Sequence, residues 1–115
     1  MPAVKAGNYT IHYESAGMGL PLLLLHGLGS SSRSWSRQLE SLSKWFKVIA
    51  WDAPGYGASS DPAPSTLPSM KEFAKSLDHF INALGIGPFS ILGHSMGGII
   101  ALEFCKDHPD RKSVV

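Results

Sequence analysis

The run Gly93-His94-Ser95-Met96-Gly97 sets a serine between two glycines, each two positions away. Ahead of it, Phe89-Ser90-Ile91-Leu92 has the composition of a short buried strand, and the stretch from Met96 to Lys106 predicts a helix. A serine placed this way fits a nucleophile elbow, whose turn is too tight to accept Cβ atoms at the flanking positions. Such a turn lifts Ser95 Oγ clear of the backbone at a helix N-terminus. There, free N–H groups and the helix dipole favour a developing negative charge. The chemistry this suits is acyl transfer through a serine nucleophile.

An elbow needs a scaffold, and the chain supplies the signals for one. Asn8 to Glu14 alternates as a half-buried strand does, and Gly17-Met18-Gly19 marks a turn. Pro21 to Leu25 is nearly all leucine, as in a parallel strand covered on both faces. His26 to Ser30 predicts a loop, after which Trp35, Leu39, Leu42 and Phe46 fall at helical spacing. Lys47 to Trp51 predicts a second buried strand, followed by a turn-rich loop that stays rich in Pro and Ser to Pro68. Ser69 and Glu72 form a possible capping box before the stripe Met70, Phe73, Leu77, Phe80, Ile81 and Leu84, which Gly85 closes. After the elbow helix, His108-Pro109 is a stop, and Lys112 to Val115 predicts the start of one more strand. Strands alternating with helices imply an α/β fold with a parallel, doubly wound sheet.

The 115 residues make at most one domain. Ten basic and nine acidic residues, spread without blocks, give no electrostatic case for nucleic acid or an anionic membrane surface. The apolar run Leu20 to Leu25 is too short to span a bilayer. The first residues lack the pattern of a secretory signal. Cys105, the one cysteine, is expected as a packed core thiol and fits a reducing, cytoplasmic setting. Neither Gly27-x-Gly29 nor Gly55-x-Gly57 extends to a dinucleotide fingerprint, no phosphate loop is present, and the histidines lack metal-ligand spacing. No cofactor and no metal are expected.

Three motifs, each at the end of a predicted strand, occur in order: His26-Gly27, Asp52-x-x-Gly55-x-Gly57-x-Ser59, and Gly93-His94-Ser95-Met96-Gly97. Together they resemble the α/β-hydrolase family from about Asn8 to Val115. By that resemblance, residues 1–115 are the N-terminal part of a single α/β-hydrolase domain, truncated after the helix that follows the elbow. The resemblance implies that Ser95 is the nucleophile and that the backbone N–H groups of Leu28 and Met96 form the oxyanion hole, with His26, Gly27, Gly93 and Gly97 in support. It implies that Asp52 ties down backbone N–H groups while the triad acid and histidine follow on later strands, absent from this chain. The motifs look most like enol-lactone hydrolases, ring-cleavage-product hydrolases, carboxylesterases and perhydrolases. Haloalkane dehalogenases and epoxide hydrolases carry Asp where Ser95 stands.

The function so implied is hydrolysis of an ester, lactone, thioester or activated C–C bond in a small-molecule acyl substrate. The alternatives are an inactive small-molecule receptor or a non-functional truncation product. Alone, the chain is expected not to hydrolyse esters and, with half a sheet uncovered, to be marginal or aggregation-prone. Among the remaining residues, His26 is expected to organise the oxyanion loop and His94 to point away from Ser95 Oγ. His12, His79 and His108 are expected at the surface or at helix ends, and Gly98 at a close helix-to-sheet contact.

Overall fold

The computed structural model describes residues 2–60 and 68–109. Five strands form one sheet in the order β1-β2-β4-β3-β5: β1 (Ala3–Ala6), β2 (Tyr9–Ala16), β3 (Pro21–Leu25), β4 (Lys47–Trp51) and β5 (Ser90–Gly93). β4, β3 and β5 are parallel, as the alternating pattern implies, while β1 and β2 run antiparallel on one side. The sequence pattern did not resolve β1, whose four residues gain their order from pairing with β2. The strand expected from Lys112 lies outside the described residues, as does the Pro/Ser segment 61–67.

Both faces of the sheet are covered, which explains the unbroken leucines of β3. Leu23 and Leu25 point with Ile49, Trp51 and Ile91 into the larger core, closed by α2 (Met70–Leu84) and α3 (Met96–Asp107). Leu22 and Leu24 point with Val48 and Ala50 to the other face, closed by a 3-10 turn (Ser32–Trp35) and α1 (Ser36–Leu42). The helix predicted there ends before Phe46, because the amides of Trp45 and Phe46 both turn back onto Leu42 O. α2 begins as predicted: Ser69 Oγ accepts the Glu72 amide, and Glu72 in return accepts the Ser69 amide. It ends at Gly85, in left-handed conformation at φ 65°. Cys105 packs half-buried against the larger core.

Candidate functional site

β3 and β5 are neighbours with Leu25 opposite Gly93, so the loop after one strand and the elbow after the other emerge side by side. Ser95 lies at that elbow with φ 57° and ψ −118°, and it is the one non-glycine residue with positive φ among those described. A conformation of this kind costs on the order of 1–3 kcal/mol and persists only where the surroundings enforce it. Two close approaches do so. A Cβ on Gly93 would lie 2.5 Å from Gly97 O, and one on Gly97 would overlap Leu25 O and come within 2.8 Å of His26 O. Ser95 is exposed, caps α3 at its N-terminus and makes no capping hydrogen bond with its side chain.

Gly98 does not make the close contact expected of it. A Cβ there would meet Gly93 O at 3.6 Å, which is ordinary contact, so the helix-to-sheet approach belongs to Gly97. The helix row explains this. Met96, Gly97, Ile100, Ala101 and Phe104 are the buried positions of α3, and Gly98 lies off that row.

The loop after β3 is held from beneath. His26 is buried; its Nδ1 lies 2.9 Å from Gly27 O, and its Nε2 lies 3.0 Å from the Ala53 amide. A carbonyl can only accept and an amide N–H only donate, so Nδ1 carries the proton and Nε2 is bare. Burial pushes this imidazole below its ordinary pKa, against smaller opposing effects of the Gly27 hydrogen bond and the Asp52 charge. Gly27 lies against the elbow: a Cβ there would be 3.0 Å from His94 Nδ1 and 3.2 Å from Ser95 Cβ. The exposed imidazole of His94 is therefore directed toward Gly27. Leu28 follows in the same loop with 75% of its surface exposed. Among the described residues, neither the Leu28 nor the Met96 amide donates a hydrogen bond within the chain. Met96 itself is buried, and Tyr56 Oη lies 3.7 Å from its Sδ while the Tyr56 ring packs against His26 at 5.1 Å. Tyr56 thus touches both halves of the site, a role no local pattern around it announced.

Asp52 ties down backbone N–H groups, as the resemblance implies. Its carboxylate accepts the Ser32 amide at 2.7 Å and the Ala58 amide at 3.0 Å, and its Oδ2 lies 2.6 Å from His12 Nδ1. Burial pushes the carboxyl pKa up, but the hydrogen bonds from Ser32, Ala58 and His12 together outweigh it and hold the group below its usual value. Gly57, at φ 50°, leaves the space that the carboxylate occupies.

His12 is not the surface residue its strand position suggested. It is only 4% exposed, joined to Asp52 across the sheet. Its amide donates to Ser59 Oγ, whose hydroxyl donates to Asp52 O. Its Nε2 is 3.4 Å from Glu14 Oε1 without forming a hydrogen bond. A partner forty positions away leaves no trace in local periodicity. His108 is a helix-end residue, stacked on Phe104, whereas His79 sits within α2 beside Gly7. A cavity of about 350 Å³ opens over His12, Asp52 and Arg33 rather than over the elbow. Among the described residues no group of His, Cys, Asp or Glu could hold a metal ion.

A family model described as the alpha/beta hydrolase fold matches residues 21–114. The chain is 36% identical over 105 residues to an (E)-2-((N-methylformamido)methylene)succinate hydrolase of Acinetobacter baylyi, covering 91% of this chain and 39% of that protein. It is 34% identical over 103 residues to a soluble epoxide hydrolase of a Corynebacterium species, covering 90% of this chain and 35% of that protein. The solved structure of a thermophilic esterase from Thermogutta terrifontis superposes with a TM-score of 0.87 at 31% identity, covering 96% of this chain and 42% of that one. The chain therefore spans about two-fifths of the length of the relatives it matches.

Proposed function

The chain belongs to the α/β-hydrolase fold family, and from that premise we propose that Ser95 is the nucleophile of a serine hydrolase. Its substrate is a small molecule carrying an ester, lactone, thioester or activated C–C bond. The observation that carries this is the backbone of Ser95: a strained, exposed serine at the start of α3, enforced by Gly93 and Gly97. Ser95 Oγ attacks the acyl carbon as its proton passes to a base. The carbonyl oxygen, now negative, takes hydrogen bonds from the Leu28 and Met96 amides, each worth about 2.7–4 kcal/mol in comparable sites. Collapse expels the leaving group, which takes the proton back from the base, and leaves an acyl ester on Ser95. Water, deprotonated by the same base, then attacks through a second oxyanion held by the same amides and releases Ser95. That neither amide has an acceptor among the described residues supports this assignment.

A serine hydroxyl needs a base to be reactive at neutral pH. We place the base and its orienting carboxylate in residues beyond those of this chain, so that 1–115 is the N-terminal part of one domain. The two-fifths coverage of the relatives supports this. Serine at position 95 favours acyl chemistry over the epoxide opening named for some relatives. The single half-buried Cys105 fits a reducing, cytoplasmic setting.

The test is p-nitrophenyl ester turnover by three proteins: the product of the reading frame extended past codon 115, its Ser95→Ala variant, and the 115-residue chain. Turnover is expected only in the first. If the short chain alone turned over and Ser95→Ala abolished it, the base would lie within these residues. If the extended protein bound acyl ligands without turnover, it would be a receptor.

A further inference from the structure

The edge of the sheet opposite the elbow is formed by the loop between β2 and β3, the turn between α1 and β4, and the segment between α2 and β5. The first two are in direct contact. The Lys47 amide donates to Leu20 O at 3.0 Å, and a Cβ on Gly19 would lie 3.3 Å from Trp45 O. The two loops joined by this contact carry three exposed large apolar residues: Met18 at 86% exposure, Leu20 at 69% and Trp45 at 73%. The three loops carry Lys44 and Lys47, both exposed, and no carboxylate from Ala16 to Pro21, from Ser43 to Lys47 or from Leu84 to Phe89. The nearest acidic residues in sequence are Glu14 on β2 and Glu40 in the last turn of α1. Lys47 also borders a shallow cavity of about 220 Å³ lined by Ile49, Leu84 and Ile86.

We propose that this edge docks on an anionic lipid surface, with Met18, Leu20 and Trp45 entering the headgroup boundary and Lys44 and Lys47 facing the lipid phosphates. The charge pattern selects this occupant. Exposed apolar clusters mark interaction surfaces, and tryptophan favours the membrane–water interface because its ring is apolar and its N–H polar. Two lysines that form no ion pair among the described residues complement anionic headgroups, whereas a second copy of the same edge would set lysine against lysine. No described helix is long and apolar enough to cross a membrane, so the contact is peripheral. Charge spread evenly along the sequence concealed this patch, because its two loops meet only in the fold. The proposal stands apart from the assignment of Ser95, which sits at the opposite edge.

Density-gradient flotation of the protein extended past codon 115, and of the monomeric fraction of the 115-residue chain, tests it, since aggregates sink while vesicle-bound protein rises. The chain is expected to float with phosphatidylcholine vesicles containing about 30% phosphatidylglycerol and not with phosphatidylcholine alone. Leu20→Ser and Trp45→Ser should each weaken partitioning on the order of tenfold, and Lys44→Gln and Lys47→Gln about fivefold each. Leu102→Ser, which removes an equally exposed leucine on α3, should leave flotation unchanged. The proposal is overturned by absent flotation, by equal flotation on neutral vesicles, or by flotation that Leu102→Ser weakens as much as Trp45→Ser. A concentration-dependent dimer that Trp45→Ser dissolves, with no vesicle binding, would give the edge to a second copy and also overturn it.

Discussion

Gly97 and Gly98 are adjacent in the first turn of α3, yet alanine should act on them with opposite sign. A Cβ on Gly97 would overlap Leu25 O and lie 2.6 Å from Leu25 C and 2.8 Å from His26 O. These are main-chain atoms at the end of β3, which is hydrogen-bonded to a strand on each side, so nothing there can rotate away. Relief requires α3 to move outward by roughly an ångström, and overpacking of this kind costs about 1–3 kcal/mol. Rigid backbone on both sides puts Gly97→Ala at the upper end, partly offset by up to about 1 kcal/mol from the helix preference of alanine. At Gly98 the nearest atom is 3.6 Å away, so the helix preference acts alone. The two variants should therefore differ by about 2–3 kcal/mol, with Gly98→Ala at or above the wild type. For a domain of this size that is about 10 °C or more in midpoint. Urea and thermal unfolding followed by tryptophan fluorescence would measure the difference. Midpoints that coincide, or Gly98→Ala as the weaker protein, would show that α3 does not rest on β3 through Gly97.

Three further outcomes follow from the hydrogen-bond network. His26 must be neutral for Nε2 to accept the Ala53 amide, and burial holds its pKa below the ordinary 6.5. As pH falls through that value the unfolded chain takes up a proton that the folded chain refuses. Stability should thus be present above about 6.5 and decline below it, a decline that His26→Asn flattens in urea titrations at pH 7.5 and 5. Asp52→Ala strands the Ser32 amide and His12 Nδ1 in a buried setting and frees the partly buried Ala58 amide, and should cost about 3 kcal/mol by denaturant midpoint. Because the Asp52 carboxyl is held below its ordinary 3.8, its contribution persists to acid and is lost only as pH falls through that lower range. Ser69→Ala removes half of a reciprocal cap and should cost α2 about 1 kcal/mol, seen as faster amide exchange in its first turn.

What was legible in the sequence sorts by distance along the chain. The cap at Ser69, the stop at Gly85, the leucines of β3 and the glycines flanking Ser95 all act over a few residues, and each appears in the fold where local pattern put it. The Gly97 contact was also within reach. The spacing Gly97, Ala101, Phe104 is the apolar row of the helix, and following it would have separated Gly97 from Gly98. The pairings of His12 with Asp52, of Tyr56 with both His26 and Met96, and of Leu20 with Lys47 span long stretches of chain and become visible only when strands β2, β3 and β4 lie side by side. The candidate site combines both kinds of information. Its serine is a local turn, but the strain in that turn is maintained by β3, reached through Gly97, and the loop carrying Leu28 is maintained by Ala53, reached through His26. An elbow motif in a chain that could not assemble those strands would therefore be a flexible turn with an ordinary hydroxyl, and the motif carries chemical meaning only because the sheet that enforces it is encoded around it.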